Sequence, residues 1–179
     1  MGNTRRAKRN YVNNKDLLNA LIEYQKQCKE AEDSGDDTPR VPNYIGECIY
    51  QIATRLATKP NFSGYTYKED MISDGIENCL QYINNFNPEK SSNPFAYFTQ
   101  IIWYAFLRRI QKEKKQMYIR FKSSQSMISN GGTYNAGEED VSVHLNTNVD
   151  YINSFIEDFE DKLDKNKVKN KEKKDSTNE

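Results

Sequence analysis

The segment from Phe95 to Phe106 constrains the fold more than any other, because a helix formed by it is apolar on nearly every side. Half of its twelve residues are aromatic, whereas aromatic residues make up 12% of the whole chain. Asn93 followed by Pro94 is typical of a helix start, since asparagine caps the first turn and proline fits its first position. A helix of this kind is either buried on all sides or uses one side for a partner.

The chain is too polar to bury this helix completely. It has 179 residues, of which 36% are hydrophobic, and a mean hydropathy of −0.96. This composition favours one modest core in a single domain of about 100 residues. One stripe of the helix is predicted to face that core: Trp103, Phe106, Leu107 and Ile110. The opposite stripe is left for a partner: Phe95, Phe98, Ile101 and Ile102.

Helical periodicity dominates the rest of the sequence, and no run of useful length has the period of two that indicates a strand. Apolar residues recur at helical spacing within residues 17–22, 45–56 and 72–83. We therefore predict an all-α fold with five parts: a basic N-terminal arm (1–14), a compact helical domain (15–122), a flexible linker (123–150), an acidic amphipathic helix (151–164) and a disordered lysine-rich tail (165–179).

The formal net charge is zero, with 26 basic and 26 acidic residues. Taken over the whole chain, this argues against a nucleic-acid partner. The charge is nevertheless divided by segment. Residues 105–122 contain seven basic residues and one acid, whereas residues 138–164 contain nine acids and one lysine. A neutral total therefore hides a basic segment and an acidic one.

Metal, disulfide and membrane chemistry are not expected. Three cysteines lie far apart without a CxxC pair, and His144 is the only histidine, so neither a zinc site nor a disulfide framework is indicated. No stretch has the ~18 to 20 consecutive apolar residues of a membrane span, and residues 1–9 lack the apolar core of a signal peptide. We expect a soluble intracellular protein.

A basic run follows the aromatic segment directly: Arg108, Arg109, Lys112, Lys114 and Lys115. Cations that pair with phosphates, next to aromatic faces on which bases stack, favour a nucleic-acid partner. The alternative is that the aromatics form the core and the lysines are a solvated helix end. From the residue pattern alone, both interpretations remain open.

Carboxylates mark one face of the helix predicted around residues 72–83. Asp70, Asp74 and Glu77 recur at helical spacing. Three carboxylates at this spacing are compatible with a divalent metal in a nuclease, with a docking face for a basic partner, or with a solvated face. The two non-metal interpretations are favoured, because no histidine lies nearby in the sequence.

Three motifs in this order resemble region two of bacterial sigma factors: Asp70-Met71-Ile72-Ser73-Asp74-Gly75-Ile76, Phe86-Asn87-Pro88-Glu89-Lys90 and Asn93-Pro94-Phe95-Ala96-Tyr97-Phe98. Shorter stretches resemble the late-transcription sigma factors of T-even-type bacteriophages, among them Phe62-Ser63-Gly64-Tyr65-Thr66 and Arg109-Ile110-Gln111-Lys112-Glu113. The resemblance covers residues 10–116 well and residues 150–164 weakly. It implies a helical domain that binds host RNA polymerase core and directs it to promoters.

The resemblance also implies roles for individual residues. The acidic helix of sigma factors docks on the polymerase, which implies a polymerase-binding set of Asp70, Ser73, Asp74, Ile76 and Leu80. The aromatic helix of sigma factors recognises an A/T-rich element about ten base pairs upstream of the start and holds bases flipped from the opening duplex. This implies a DNA-binding set of Phe95, Phe98, Ile101, Ile102, Ala105, Arg108, Arg109 and Lys112.

The sequence departs from the family in two places. Ile101 and Ile102 stand where primary sigma factors have a tryptophan pair that wedges open the duplex. The family's C-terminal peptide for the sliding clamp has no counterpart in residues 171–179, which contain no apolar side chain. A late co-activator and the clamp are thus partners by implication only.

No catalytic residue, metal or cofactor is expected, and the implied location is the cytoplasm of the infected bacterial host. A helical polymerase-binding adaptor or anti-sigma-like regulator, without sequence-specific DNA binding, is the alternative function.

Overall fold

The computed structural model describes residues 11–129 and 141–175, with side chains described for residues 11–126, 149–166 and 168. These residues form helices without any strand, which confirms the all-α prediction. The helices are α1 (Asn14–Ser34), α2 (Asn43–Ala57), α3 (Pro60–Ser63), α4 (Lys68–Gln81), α5 (Pro94–Ser129) and α6 (Val141–Asp175), with a 3₁₀ turn at Ile83–Asn85. No helix among these residues is long and apolar enough to cross a membrane.

The chain divides into two compact units, one ending at Ile110 and one beginning at Gln111. The division lies within the sequence of α5, before the predicted domain boundary at residue 122. We call residues 11–110 the bundle and residues 111–175 the hairpin, and we describe each by itself.

Short polar side chains set the helix ends of the bundle. The Asn13 side chain accepts a hydrogen bond from the Lys15 N–H at 3.1 Å and begins α1, and the Asn93 side chain accepts one from the Ala96 N–H at 3.1 Å at the start of α5. Gly35 caps the C-terminal end of α1, and glycine adopts its φ of 74° at little cost. The predicted helix start at Asn93 and Pro94 is therefore confirmed.

The core of the bundle is formed by the inward faces of α1, α2, α4 and α5 together with Phe62 of the short helix α3. Its largest side chains with almost no exposed surface are Phe62, Phe98, Phe106, Leu17, Leu21, Ile45, Ile49, Ile52, Met71 and Ile102. Close packing of this kind makes the removal of even one side chain costly.

Residues 11–14, which were predicted as part of an N-terminal arm (1–14), belong to the bundle. Val12 is buried in the core, and the Tyr11 ring meets Phe95 edge to face at 5.7 Å between centroids. The Arg55 guanidinium lies over the Tyr11 ring at 4.2 Å from its centroid. Residues 11–14 thus belong to the bundle because their apolar groups are buried there, and residues 1–10 lie outside the described residues.

The hairpin pairs the end of α5 with α6 in antiparallel order. Tyr118 stacks on Phe159 at 4.6 Å between ring centroids, Phe121 meets Phe155 edge to face at 5.3 Å, and the Gln125 amide donates to Asn153 Oδ1 at 2.9 Å. The apolar spacing predicted for an acidic helix near residues 151–164 is therefore realised.

The predicted linker and tail boundaries differ from the observed ones. Residues 123–129 continue α5 and residues 141–150 begin α6, so both segments are helical where a flexible linker was predicted. Serine-rich sequence does not end α5, because the exposed side of a helix tolerates serine while Gln125 pairs with α6. Residues 130–140 of the linker lie outside the described residues. Helix α6 extends to Asp175 within the predicted tail, and residues 176–179 also lie outside.

Candidate functional site

Helix α4 presents three faces, and the motif that resembles sigma factors is divided among them. Met71, Gly75 and Cys79 form a buried face. Asp70, Asp74 and Asn78 follow on the flank at the same four-residue spacing. The remaining face is exposed, with Glu69, Ser73, Glu77 and Leu80. The buried residues, the residues of the flank and the exposed residues of α4 therefore lie on different faces, because residues four apart share a helix face.

Gly75 of α4 packs directly against Ile102 and Phe106 of α5. A Cβ atom placed on Gly75 would lie 3.1 Å from Ile102 Cγ2 and 3.1 Å from Phe106 Cε1. Such distances are shorter than ordinary van der Waals contact, so glycine lets the two helices pack without displacing either side chain. The Asp-Gly pair of the motif thus has a packing role that involves no partner.

Arg109 of α5 bridges the two carboxylates on the flank of α4. Its Nη2 lies 3.0 Å from Asp70 Oδ1, and its Nη1 lies 3.4 Å from Asp74 Oδ2. The Arg109 side chain is only 16% exposed, whereas those of Asp70 and Asp74 are 57% and 33% exposed. One guanidinium thus joins two carboxylates, a geometry that suits its planar fork. We call these three residues the α4–α5 bridge.

A hydrogen bond extends the bridge by one turn. Arg108 Nη2 donates to Asn78 Oδ1 at 2.7 Å, and Asn78 Nδ2 donates to the Asp74 carbonyl at 2.6 Å. Arg108 and Arg109, both predicted to bind DNA, are therefore joined to the helix predicted to bind polymerase. Sequence reasoning missed this pairing, since nothing in the spacing of residues 70–109 indicates which cation meets which carboxylate.

The structure brings only part of the predicted polymerase-binding set to the surface. Ser73 is exposed, and Leu80 is 41% exposed at the edge of a shallow groove of about 460 Å³. Ile76 is half-buried and packs against the core. Asp70 and Asp74 are accessible but engaged with Arg109. The exposed members thus lie on the outer face of α4.

The buried side of α5 differs from the side predicted to face the core by a rotation of about a quarter turn, at 3.6 residues per turn. Phe98 and Ile102, predicted to face a partner, are fully buried, and Ala105 is 2% exposed. Leu107, predicted to face the core, is 36% exposed, while Phe106 and Ile110 are buried as expected. Gly75 accommodates this orientation, since a Cβ atom there would lie 3.1 Å from both Ile102 and Phe106.

The accessible part of the predicted DNA-binding set is small. Phe95 and Ile101 are half-buried, Arg108 is exposed, and Lys112 is an exposed residue of the hairpin. Phe95 lines a cavity of about 290 Å³ together with Tyr11, Val12, Asn14 and Asn93. Tyr104, which the sequence reasoning had not assigned, is 52% exposed on α5. The sequence could have indicated Tyr104, because it lies on the side of α5 opposite Phe106, and Phe106 faces the core.

The two buried thiols of the bundle, those of Cys48 and Cys79, have no reactive character. The Sγ of Cys79 lies 3.9 Å from the Phe98 carbonyl, and burial raises the pKa of this thiol to about 12. Burial also raises the pKa of Cys48. A thiol is a nucleophile only as thiolate, so both remain protonated near neutral pH and serve as small apolar side chains.

Comparison with protein-family models finds no matching family, and comparison with curated proteins finds no match. Within the described residues, no group of three or more histidine, cysteine, aspartate or glutamate side chains is placed to hold a metal ion. What the described residues offer is a close-packed pair of helices, with an exposed acidic face on one and arginines and aromatic side chains on the other.

Proposed function

We propose that this protein is a sigma-factor-like initiation factor of a bacteriophage. In this role it binds the core RNA polymerase of the bacterial host and directs it to an A/T-rich element upstream of the transcription start, where the duplex opens. It acts by binding alone and changes no covalent bond. Its place of action is the cytoplasm of the infected cell, and a late co-activator and the sliding clamp are further partners of this role.

The observation that carries the proposal is the junction of α4 and α5. Three residues of the sigma-like motifs have structural roles near this junction. Gly75 lies where the two helices pack together, Phe86 is buried in the core after the 3₁₀ turn, and Asn93 caps α5. These positions support the resemblance in fold, because each motif residue has a local reason for its identity. The exposed face of α4 is left as the candidate polymerase contact.

The candidate DNA contact is narrower than the predicted set. Within the bundle, Phe95, Ile101 and Tyr104 have accessible surface on α5, and Arg108 is an exposed cation. Aromatic faces stack on unpaired bases, and cations hold the phosphates. Phe98, Ile102 and Ala105 have no accessible surface for a base, so in this proposal they support the helix from the core.

Polymerase binding is tested with charge placed on the outer face of α4. Ser73→Arg with Leu80→Arg introduces two cations there without touching the α4–α5 bridge. Ile22→Arg on α1 is the matched control, since Ile22 is 43% exposed against 41% for Leu80. We expect wild type and the control to co-elute with polymerase core in gel filtration and the double variant to elute alone. A wild-type protein that never co-elutes refutes the proposal.

A second function is favoured by the internal engagement of the arginines. Arg108 and Arg109 contact α4, and Phe98 is buried, which suits an adaptor that binds polymerase without reading DNA. Filter binding of the reconstituted complex to promoter DNA separates the two functions. Sequence-dependent retention supports the initiation factor, whereas retention equal to that of scrambled DNA supports the adaptor.

A further inference from the structure

Aromatic and apolar side chains remain accessible on one side of the hairpin. Tyr151 and Phe155 lie one turn apart on α6, and Met117 and Phe121 lie one turn apart on α5. The Phe121 ring meets Tyr151 at 6.0 Å and Phe155 at 5.3 Å between centroids, so both pairs lie on the same side of the hairpin. Tyr151 is 56% exposed and Met117 is 37% exposed, and both phenylalanine rings are half-buried. We call these four residues the open face.

The open face lies beside the strip that two packed helices bury between them. An apolar side next to that strip needs a second layer of structure to cover it. Aromatic residues and methionine are enriched in protein interfaces, because they offer a large contact area. A contiguous group of such side chains at the surface marks an interaction site. The open face is therefore a candidate interface with another protein surface.

The charges of the two helices select the occupant of the open face. Residues 111–126 of α5 contain five basic residues and one acid, whereas residues 151–164 of α6 contain five acids and one lysine. A partner surface of a single charge is attracted by one of these helices and repelled by the other. A second copy of the hairpin is complementary to both, because a two-fold axis places α5 of one protomer against α6 of the other.

We propose that the open face is the interface of a homodimer in which two hairpins pack face to face. The inference goes beyond the proposed function and does not depend on it. With the two-fold axis parallel to the helices, α5 and α6 alternate around the four-helix assembly, so each neighbouring pair is antiparallel and of opposite charge. Helices of like charge face each other only across the diagonal, where the aromatic side chains fill the centre.

The size of the open side of the hairpin predicts a weak dimer. Residues 111–129 form about 28 Å of helix at 1.5 Å per residue, and two packed helices are about 20 Å wide. Each protomer therefore offers roughly 560 Å², and the two together bury about 1,100 Å², at the low end of specific interfaces. We expect a dissociation constant of about 10 to 100 µM for an interface of this size.

One ion pair across the dimer follows from the register of the hairpin. Phe121 lies beside Phe155, which places Arg120 and Asp158 at about the same level along the two antiparallel helices. Both charged side chains are exposed, Arg120 three residues after Met117 and Asp158 three residues after Phe155, so both lie next to the open face. A two-fold axis parallel to the helices preserves this level. Arg120 of one protomer therefore meets Asp158 of the other, twice in the dimer.

The open face is tested by sedimentation equilibrium of the full-length protein at about 5 to 200 µM, a range that brackets the expected dissociation constant. Tyr151→Glu should weaken self-association by at least about 10-fold, because it places a charge in the apolar interface. Tyr50→Glu on α2 is the matched control, since Tyr50 is 57% exposed against 56% for Tyr151. It should associate as wild type does. Circular dichroism establishes that each variant is folded.

The ion pair is tested by reversing its charges. Arg120→Glu and Asp158→Arg should each weaken self-association by about 10-fold, because two attractive contacts become repulsive in the symmetric dimer. The protein with both substitutions should associate within about 2-fold of wild type, since the pair is restored with opposite sense. An equimolar mixture of the two single variants should likewise sediment as a heterodimer.

Weaker association of Tyr151→Glu, an unchanged Tyr50→Glu control and recovery in the doubly substituted protein together support the dimer. A wild-type protein that remains monomeric over the whole concentration range overturns it, whatever the protein does with polymerase or DNA. Association that Tyr50→Glu weakens as much as Tyr151→Glu places the interface elsewhere and also overturns it. Failure of the doubly substituted protein to recover contradicts the alternating arrangement of α5 and α6.

Discussion

The bundle and the hairpin are built from helices of the same chain but are held together by different physical means. In the bundle, aliphatic and aromatic side chains are fully buried, and Gly75 allows two helices to touch. In the hairpin, aromatic rings meet along a seam whose Tyr118 and Phe159 are both half-exposed. Packing shape therefore orients the helices of the bundle, whereas ring contacts and charges orient those of the hairpin.

The ion pairs of the two regions differ in the same sense. Arg109 is 16% exposed where it bridges Asp70 and Asp74, whereas Lys122 and Glu160 are 46% and 43% exposed at a separation of 2.9 Å. Exposed pairs are screened by salt and contribute little to stability. The comparison teaches that salt should weaken the Lys122–Glu160 pair of the hairpin more than the pairs that the half-buried Arg109 makes in the bundle.

The largest expected effect breaks the bundle through α5. Phe98→Ala should lower the free energy of unfolding by about 3–5 kcal/mol, because it empties a fully buried site. Leu107→Ala on the same helix should change it by only about 0.5 kcal/mol, since Leu107 is at the surface. Urea unfolding followed by circular dichroism measures both. Equal losses in the two variants would contradict the observed orientation of α5.

Alanine substitutions at two glycines test the packing of α4 against α5, because they should change the stability of the bundle by smaller amounts and in opposite directions. Gly75→Ala places a methyl group 3.1 Å from Ile102 and Phe106 and should destabilise the bundle by about 1–3 kcal/mol. Gly46→Ala in α2 meets nothing within 4 Å and should stabilise the bundle by about 0.5–1 kcal/mol. Thermal unfolding checks the signs, and a stabilising Gly75→Ala would show that the crossing is loose.

A substitution in the aromatic seam of the hairpin should have a smaller effect on stability, and the effect should be confined to the hairpin. Phe159→Ala removes the ring stacked on Tyr118 and should lower the stability of the hairpin by about 0.5–1.5 kcal/mol beyond the lost burial. Amide hydrogen exchange should become faster in α6 while α2 keeps its protection. Tyr151→Ala is the control, because Tyr151 is 56% exposed at the edge of the seam. Faster exchange in both units would mean that the hairpin and the bundle unfold together.

The smallest expected effect is the response of the hairpin to pH. Hydrogen bonds from Lys122 and then from Tyr118 hold the pKa of Glu160 below its usual value of 4.5. A lowered pKa stabilises the folded state above the usual value, and this contribution is lost as the pH falls through the lowered one. Amide exchange in α6 should therefore accelerate between neutral pH and pH values below 4.5, after correction for intrinsic rates. Glu160→Gln should remove that acceleration.

Sequence reasoning was successful where the signal is local. The helical class, the start of α5 at Asn93 and Pro94, and the spacing of Phe155 and Phe159 all depend on residues a few positions apart. It failed for the face of α5. A helix that is apolar on every side has no stripe by which periodicity can orient it, and the contact of Gly75 with Ile102 and Phe106 spans about 30 residues of chain.

The amino-acid sequence by itself determined the helical class, the Asn93 cap at the start of α5 and the separation of charge into basic and acidic segments, since each follows from neighbouring residues. Only the tertiary structure decided which side of α5 is buried, that Arg109 meets Asp70 and Asp74, and that the aromatic residues of α6 lie against the end of α5. These choices depend on which helices come into contact, and packing shape and charge pairing act between residues that the sequence places far apart.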